Sequence, residues 1–305
     1  MTARASTTVY AKLTLMALFW GGTFIGGRIA SPEMTAVQAA LWRYAIAIVA
    51  LVGFAYLLEG GLGRPTRRQW IGVTLLGATG VFMFNLCFMY ALARMPASRA
   101  SLIMALNPAM TLLAAAVFLH ERLTRNKVVG IALALLGVAL VLGHGNPLHL
   151  VSGGIGMGDI VMFGCPLSWA ANTLVARTML PTMPPVAATT WSAITGTAML
   201  AMVAAFAGPM LPDGVSWRAW SAIVFIAIFG TAIGLALFYD GVRRIGAART
   251  SVFINLVPVF AVALGVLLLG EPLEGSMLVG GALVVGGILF LNRPEPARGP
   301  ASHAA

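Results

Sequence analysis

The chain has 305 residues, of which 59% are hydrophobic and only 9% charged, and its mean hydropathy is +0.92. Soluble domains carry about 25% charged residues, so this composition excludes a water-solvated globule and demands lipid around most of the chain. The net charge of +10 could suggest a nucleic-acid partner, but its distribution orients a membrane protein, with the lipid bilayer as partner and no nucleic acid. Cys87 and Cys165 are the only cysteines, and both fall in apolar runs, which leaves neither a disulfide framework nor a cysteine metal site.

Crossing a bilayer takes about 20 mainly apolar residues per helix, and irregular backbone cannot face lipid. Ten helical runs are expected, near 9–30, 37–58, 70–92, 97–119, 128–143, 157–178, 186–208, 217–238, 247–269 and 276–292. The first follows Arg4 and Lys12 and continues through Trp20 to Ala30 without a small-residue cleavage site, so it reads as a retained helix. Connections are short, and 293–305, rich in Pro and Ala, reads as a disordered cytoplasmic tail. With the N-terminus inside, Arg4, Lys12, Arg64, Arg67, Arg68, Arg122, Arg125, Lys127, Arg177, Arg243, Arg244, Arg249, Arg293 and Arg298 are cytoplasmic. Arg28, Arg94, Arg99 and Arg218 lie opposite, with Arg43 close to that side. The asymmetry satisfies the positive-inside rule with both termini in the cytoplasm.

Residues 91–143 align without a gap on 241–293. Arg94 meets Arg244, Arg99 meets Arg249, Ser101 meets Ser251, Pro108 meets Pro258, Glu121 meets Glu271, Gly130 meets Gly280 and Gly137 meets Gly287. Upstream the register shifts by one residue and pairs Trp20 with Trp169, Arg28 with Arg177 and Trp42 with Trp191. Five spans per copy is an odd number, so the two copies must enter the membrane from opposite sides. The predicted fold is an all-α integral membrane protein of ten helices in two inverted five-helix repeats, 1–146 and 153–292. Inverted repeats are characteristic of secondary transporters, whose substrate site lies near the midplane between the copies.

The Asn107-Pro108 and Val257-Pro258 pairs, the segments Leu119-His120-Glu121-Arg122-Leu123 and Leu269-Gly270-Glu271-Pro272-Leu273, and the glycine-rich helix after each resemble the drug/metabolite transporter superfamily. Within that superfamily the chain is similar to proteins with two EamA repeats, over almost its whole length. The resemblance implies export of small metabolites or drugs through a bacterial inner (plasma) membrane, with both termini inside. Its length, tryptophan placement and Asn-Pro helix look like those of members that export aromatic amino acids. Val257 stands where the first repeat has Asn107, so that amide has no counterpart in the second half.

Polar side chains within spans usually face the bundle interior or a wet cavity. Ser251, Asn255 and Pro258 share one helical face of the ninth span, and Ser101 and Pro108 the equivalent face of the fourth, beside Asn107. Each proline frees a carbonyl one turn earlier, which suits either a packing kink or a contact to substrate. Trp169, Asn172 and Thr173 share a face in the sixth span, and Trp20 and Thr23 the matching face in the first. A mid-span indole either turns its N–H toward a polar cavity or fills the core between repeats. Asn85 suits a substrate or a neighbouring helix equally, while Tyr90 and Tyr239, nearer span ends, are weaker candidates. Trp42, Trp70, Trp191 and Trp220 read as interfacial anchors, and Gly22 and Gly26 as a tight helix contact.

All nine carboxylates fall in loops or near span ends, so a proton relay lacks a candidate, and Glu121 and Glu271 are expected to pair with nearby arginines. His120, His144, His149 and His303 lie in loops or the tail, and no HExxH, GxSxG or CxxC occurs. No catalytic set, metal or cofactor is expected. The expected partner is a small-molecule substrate, an amino acid or similar metabolite, with a drug or other metabolite as the alternative; the oligomeric state stays open, a monomer included.

Overall fold

A computed structural model of the chain describes residues 3–121, 123–146 and 155–291. The tail 293–305, the residues Arg122 and His149, and the side chain of Arg4 lie outside the described residues. The described residues contain no strand and form ten helices. These are α1 (Ala3–Ala30), α2 (Ala36–Glu59), α3 (Arg67–Leu92), α4 (Ala97–Phe118), α5 (Arg125–Leu142), α6 (Met157–Met179), α7 (Pro185–Ala207), α8 (Trp217–Ile245), α9 (Arg249–Leu269) and α10 (Gly275–Leu291). Nine are long and apolar enough to cross a bilayer, and α10, with 17 residues, is at the short end of the range. Thr35 and Thr66 start α2 and α3 through capping boxes with Gln38 and Gln69, and Ser216 caps α8. Outward-facing Leu57, Phe206 and Leu267 are 80%, 89% and 77% exposed, a degree of apolar exposure that only lipid tolerates.

The two repeats are interleaved rather than side by side. Helix α1 packs along α8 and α9, and its counterpart α6 packs along α3 and α4. Helix α2 lies against its own counterpart α7, and α5 against α10, as an inverted pair requires. The α5–α10 contact shows the pseudo-symmetry at atomic level. A Cβ on Gly137 would stand 2.5 Å from the Gly280 carbonyl oxygen, and one on Gly130 would stand 2.6 Å from that of Gly287. The equivalent glycines thus meet crosswise, backbone on backbone. Gly22 and Gly26 serve the same end in α1, pressed on Phe225 and Ile226 of α8.

The spans that carry Pro108 and Pro258 are both broken at midheight. Helix α4 loosens at Ala105 and Leu106 and resumes at Asn107, while α9 loosens at Asn255, three residues before Pro258. A proline has no N–H for the carbonyl four residues back, here Met104 and Ile254, and the helix yields there.

Three carboxylates seal helix starts across the repeat boundary. Glu33 accepts from the Ser216 N–H and hydroxyl at the start of α8. Glu59 accepts from Val186 and Ala187 N–H at 2.9 and 2.8 Å, in the first turn of α7. Glu271 accepts from Ala97 and Ser98 N–H at 2.7 and 2.9 Å, in the first turn of α4. The expected arginine partner of Glu271 is therefore corrected: free N–H groups and the positive end of the α4 dipole take its place. Glu121 does pair with Arg177.

Leucine at Gly137 would drive a side chain into the Gly280 backbone, and overpacking of this kind costs about 1–3 kcal/mol. G137L is expected to melt at lower temperature in detergent than the wild type. The control G286A, whose Cβ meets nothing within 4 Å, is expected to melt unchanged.

Candidate substrate cavity

Two helices carry an irregular turn at equivalent heights: Gly77–Met83 in α3 and Ile226–Ile233 in α8 are π-helical. Such widened turns disturb the hydrogen-bond ladder and leave carbonyls for side chains to take. Asn172 Nδ2 donates to the Leu76 carbonyl at 3.1 Å and to Thr79 Oγ1 at 3.3 Å. Asn85 Nδ2 donates to the Val81 carbonyl at 2.7 Å, and Thr231 Oγ1 donates to the Ile226 carbonyl at 3.0 Å. Glycine is needed at the centre of each turn, because a Cβ on Gly80 would strike Asn172 and one on Gly230 would strike Thr23.

Beside the α3 turn lies a cavity of about 410 Å³, bounded by α2, α3, α6, α7 and α8 and so drawn from both repeats. Its mid-membrane wall carries Tyr44, Gly80, Val81, Trp169, Asn172 and Ser192. Leu180, Pro181, Met183 and Pro185 line it toward the α6–α7 connection, where Pro181 and Pro185 are exposed. Tyr239, hydrogen-bonded to Thr189 Oγ1 at 2.9 Å, completes the wall with Leu76, Ala188 and Leu235. Apolar and aromatic surface with a few hydroxyls and one amide suits a small amphipathic solute.

The opposite end of the bundle is shut by contacts between the repeats. Gln38 Nε2 donates to the Pro209 carbonyl at 2.8 Å, and Trp42 Nε1 to that of Met210 at 3.0 Å. The Trp42 ring meets Trp220 edge-on at 5.3 Å. On the same side Arg99 and Asp159 form a buried ion pair at 2.9 Å, and His144 Nδ1 lies 2.8 Å from Glu274. That hydrogen bond from His144 holds the Glu274 carboxyl below the usual carboxylate range. At the cavity end the equivalent arginine, Arg249, is exposed, and Tyr10 stands where symmetry would place Asp159. There Trp70 meets Trp191 at 4.9 Å, so the four tryptophans expected as anchors pair across the repeats.

Behind the cavity wall, against Tyr44, lies a group that the distribution of charges along the chain placed only near the outer side. Arg43 is 8% exposed; its Nη1 donates to Asn85 Oδ1 at 2.8 Å and its Nε to Thr231 Oγ1 at 3.2 Å. The guanidinium also lies 5.4 Å from the Tyr44 ring centre and 5.9 Å from that of Phe88. Arg43 therefore ties the irregular turn of α3 to that of α8.

The sequence-derived candidates divide. Trp169 and Asn172 line the cavity, and Asn85, fully buried, holds Arg43 behind the wall. Thr173 returns its hydroxyl to the Trp169 carbonyl and Ser101 to that of Ser98, each within its own helix. Trp20 and Thr23 pack on Gly234 and Gly230 of α8, away from the cavity. Asn107 Oδ1 and Asn255 Nδ2 are buried without a partner among the described residues, at the breaks of α4 and α9. Ser251, Pro108 and Pro258 do not line the cavity. Reasoning from sequence ranked Tyr239 low and passed over Tyr44, Thr189 and Ser192. It could have singled out Arg43, since an arginine several residues inside a span is by default a functional candidate.

Inverted, interleaved repeats enclosing a one-ended cavity define the class, a multi-pass membrane transporter. The chain belongs to the EamA-like transporter family, whose model matches it twice, at residues 8–143 and 156–293. It is 29% identical over 282 residues to the uncharacterized transporter YyaM of Bacillus subtilis, covering 92% of each chain. It is 29% identical to a probable terminal-alkyne amino-acid exporter of Streptantibioticus cattleyicolor, covering 95% of each. A probable amino-acid metabolite efflux pump of Salmonella typhimurium is 25% identical, over 91% of this chain and 92% of that one. A solved crystal structure at 20% identity shares the fold with a TM-score of 0.64, over 91% of this chain and 94% of that one.

The Glu33 carboxyl lies below its usual pKa because the Ser216 N–H, and then the Ser216 hydroxyl, donate to it. A carboxyl lowered on folding stabilises the fold above its ordinary pKa, and that stabilisation is lost as pH falls through the lowered value. Melting scans from neutral to acid pH are expected to show wild type losing stability in that window, and E33Q showing a flatter acid limb from a lower neutral starting point.

Proposed function

We propose that this protein exports small amphipathic metabolites, aromatic and neutral amino acids foremost, by alternating access between the halves 1–146 and 153–292. The observation that carries the reading is the cavity itself: mid-membrane, built by both repeats, open at one end and lined by an indole, two phenols and an amide. The open end also gathers Arg64, Arg67, Arg68, Arg125, Lys127, Arg177, Arg243, Arg244 and Arg249. The positive-inside rule makes that end cytoplasmic, with both termini on the same side and the cavity loading from within the cell. Two of the relatives carry names of amino-acid or amino-acid-metabolite exporters, which supports the same substrate class.

Trp169 and Asn172 act as substrate contacts in this inward-open state. Their symmetry mates Trp20 and Thr23, with Ser251 and Asn255 on the neighbouring α9, line the corresponding cavity when the halves exchange conformations. The prolines Pro108 and Pro258 supply the bends at which α4 and α9 flex. No cavity-lining residue is a carboxylate, which favours facilitated export or exchange over carboxylate-based proton coupling.

Proteoliposomes loaded with a panel of labelled amino acids, aromatic amines and a cationic dye test the reading. Protein-dependent flux is expected for aromatic and neutral amino acids. Movement of the dye alone would instead assign a drug exporter, and flux of nothing would sink the assignment. Ala188→Trp, which fills the cavity from α7, is expected to reduce flux to background while the protein still purifies as a folded monodisperse species.

A further inference from the structure

The unusual charge in this membrane domain is Arg43. Among the described residues no carboxylate lies within ion-pair distance of it, although the other deeply buried arginine, Arg99, is paired with Asp159. Its hydrogen-bond acceptors are a neutral amide and a neutral hydroxyl, and its Nη2 has no hydrogen-bond partner among the described residues. An ion taken out of water without a counter-ion is costly, and charges within spans persist where they pair or mark the path of a solute. Arg43 lies behind the cavity wall, two hydrogen bonds from the lining residue Val81 by way of Asn85. Tyr44 and Val81 line the cavity; Tyr44 is its chain neighbour, and the Val81 carbonyl takes the amide of the Asn85 that holds the guanidinium.

The asymmetry separates this residue from the scaffold. Next to it Trp42 has an equivalent in Trp191, and both serve in matching indole pairs. Arg43 falls instead on Ser192, which lines the cavity and donates its hydroxyl within its own helix. A clamp needed for the symmetric framework would be expected in both copies; a group that recognises one end of an asymmetric solute is needed once. No residue lining the cavity is charged, and the Arg43 guanidinium lies 5.4 Å from the ring centre of Tyr44, which does line it.

We propose that Arg43 is the anion-binding residue of the transport path, and that the exported solute carries a carboxylate which this guanidinium takes at the blind end of the cavity. A carboxylate is a stronger acceptor than either present ligand, and the planar fork of arginine receives it through two parallel N–H donors. It displaces Thr231 or Asn85 from the guanidinium and so loosens the tie between the irregular turns of α3 and α8. The apolar body of the solute then lies along Tyr44 and Trp169. The proposal rests on the export reading above and specifies its substrate as an organic acid or a zwitterion.

Phenylalanine, its carboxamide and phenylacetate serve as probes, in flux assays on proteoliposomes and in melting scans of the detergent-purified full chain. Wild type is expected to move phenylalanine faster than the carboxamide by roughly tenfold to a hundredfold, the worth of one or two hydrogen bonds to a charged group. Arg43→Gln is expected to bring that ratio close to one, and Arg43→Lys to restore part of it. Asn85→Asp keeps the arginine and supplies an internal carboxylate at Nη1, and is expected to abolish the preference as well. A folded R43Q or N85D that retains the wild-type ratio overturns the proposal, as does a wild type that treats acid and amide alike. If R43Q does not fold, N85D and the wild-type ratio decide. Absence of any amino-acid flux sinks the export reading, and the melting scans then judge the anion site separately. Stabilisation by phenylacetate in wild type but not in N85D supports it, and no stabilisation overturns it.

Discussion

Backbone groups placed in lipid have no water to fall back on, and the rest of this structure follows from how each irregular one finds a partner. The chain departs from ideal helix at the widened turns of α3 and α8 and at the breaks before Pro108 and Pro258. At the widened turns the freed carbonyls are met by Asn172, Asn85 and Thr231. At helix starts the open N–H groups are met by Glu33, Glu59 and Glu271, each reaching from the other repeat. Three of the carboxylates seal helix starts in this way, while Glu121, Asp159, Asp240 and Glu274 pair with basic side chains, and none of them lines the cavity.

Interleaving of α1 and α6 gives these contacts their reach. Because each is lodged against two helices of the other copy, the cavity is bounded by α2 and α3 of one repeat and by α6, α7 and α8 of the other. Relative movement of the copies must then change its width. The shut end is held by contacts that the cavity end lacks: the Arg99–Asp159 pair closes one side, while Arg249 stands exposed on the other. Two units of one repeated fold thus make different contacts at the two ends, which is what alternating access by exchange requires. Two departures from symmetry lie at the cavity, where Asn172 stands for Thr23 and Ser192 stands for Arg43.

Much of the framework was legible in the chain before any coordinates. The ten spans follow from apolar length, and the inversion follows from five spans per copy. The crosswise meeting of Gly137 with Gly280 is implied once the repeats are known to be antiparallel. Trp169 and Asn172 were found because mid-span polar groups are expensive unless they face something polar. Their mates Trp20 and Thr23, equal by that criterion, face α8 instead, since sequence symmetry cannot say which of two alternating cavities is open. Tyr44, Thr189 and Ser192 escaped notice, and Tyr239 was ranked low, because hydroxyls near span ends look alike whether they face a cavity, a helix or a headgroup. Glu271 was assigned an arginine for a related reason: a carboxylate at a helix end carries no mark of whether a cation or a row of free N–H groups will meet it.

The amino-acid sequence by itself determined the number of helices, their inverted order and the gathering of most basic residues at one end of the bundle. These depend on transfer of side chains into lipid and on position along the chain, both of which are local quantities. Only the tertiary structure decided which end is open, which symmetry mates line the cavity, and that Arg43 is held behind its wall with no counter-ion among the described residues. Each of these depends on pairings between residues 42 to 188 positions apart, such as Arg43 with Asn85 and with Thr231, and no local pattern encodes them.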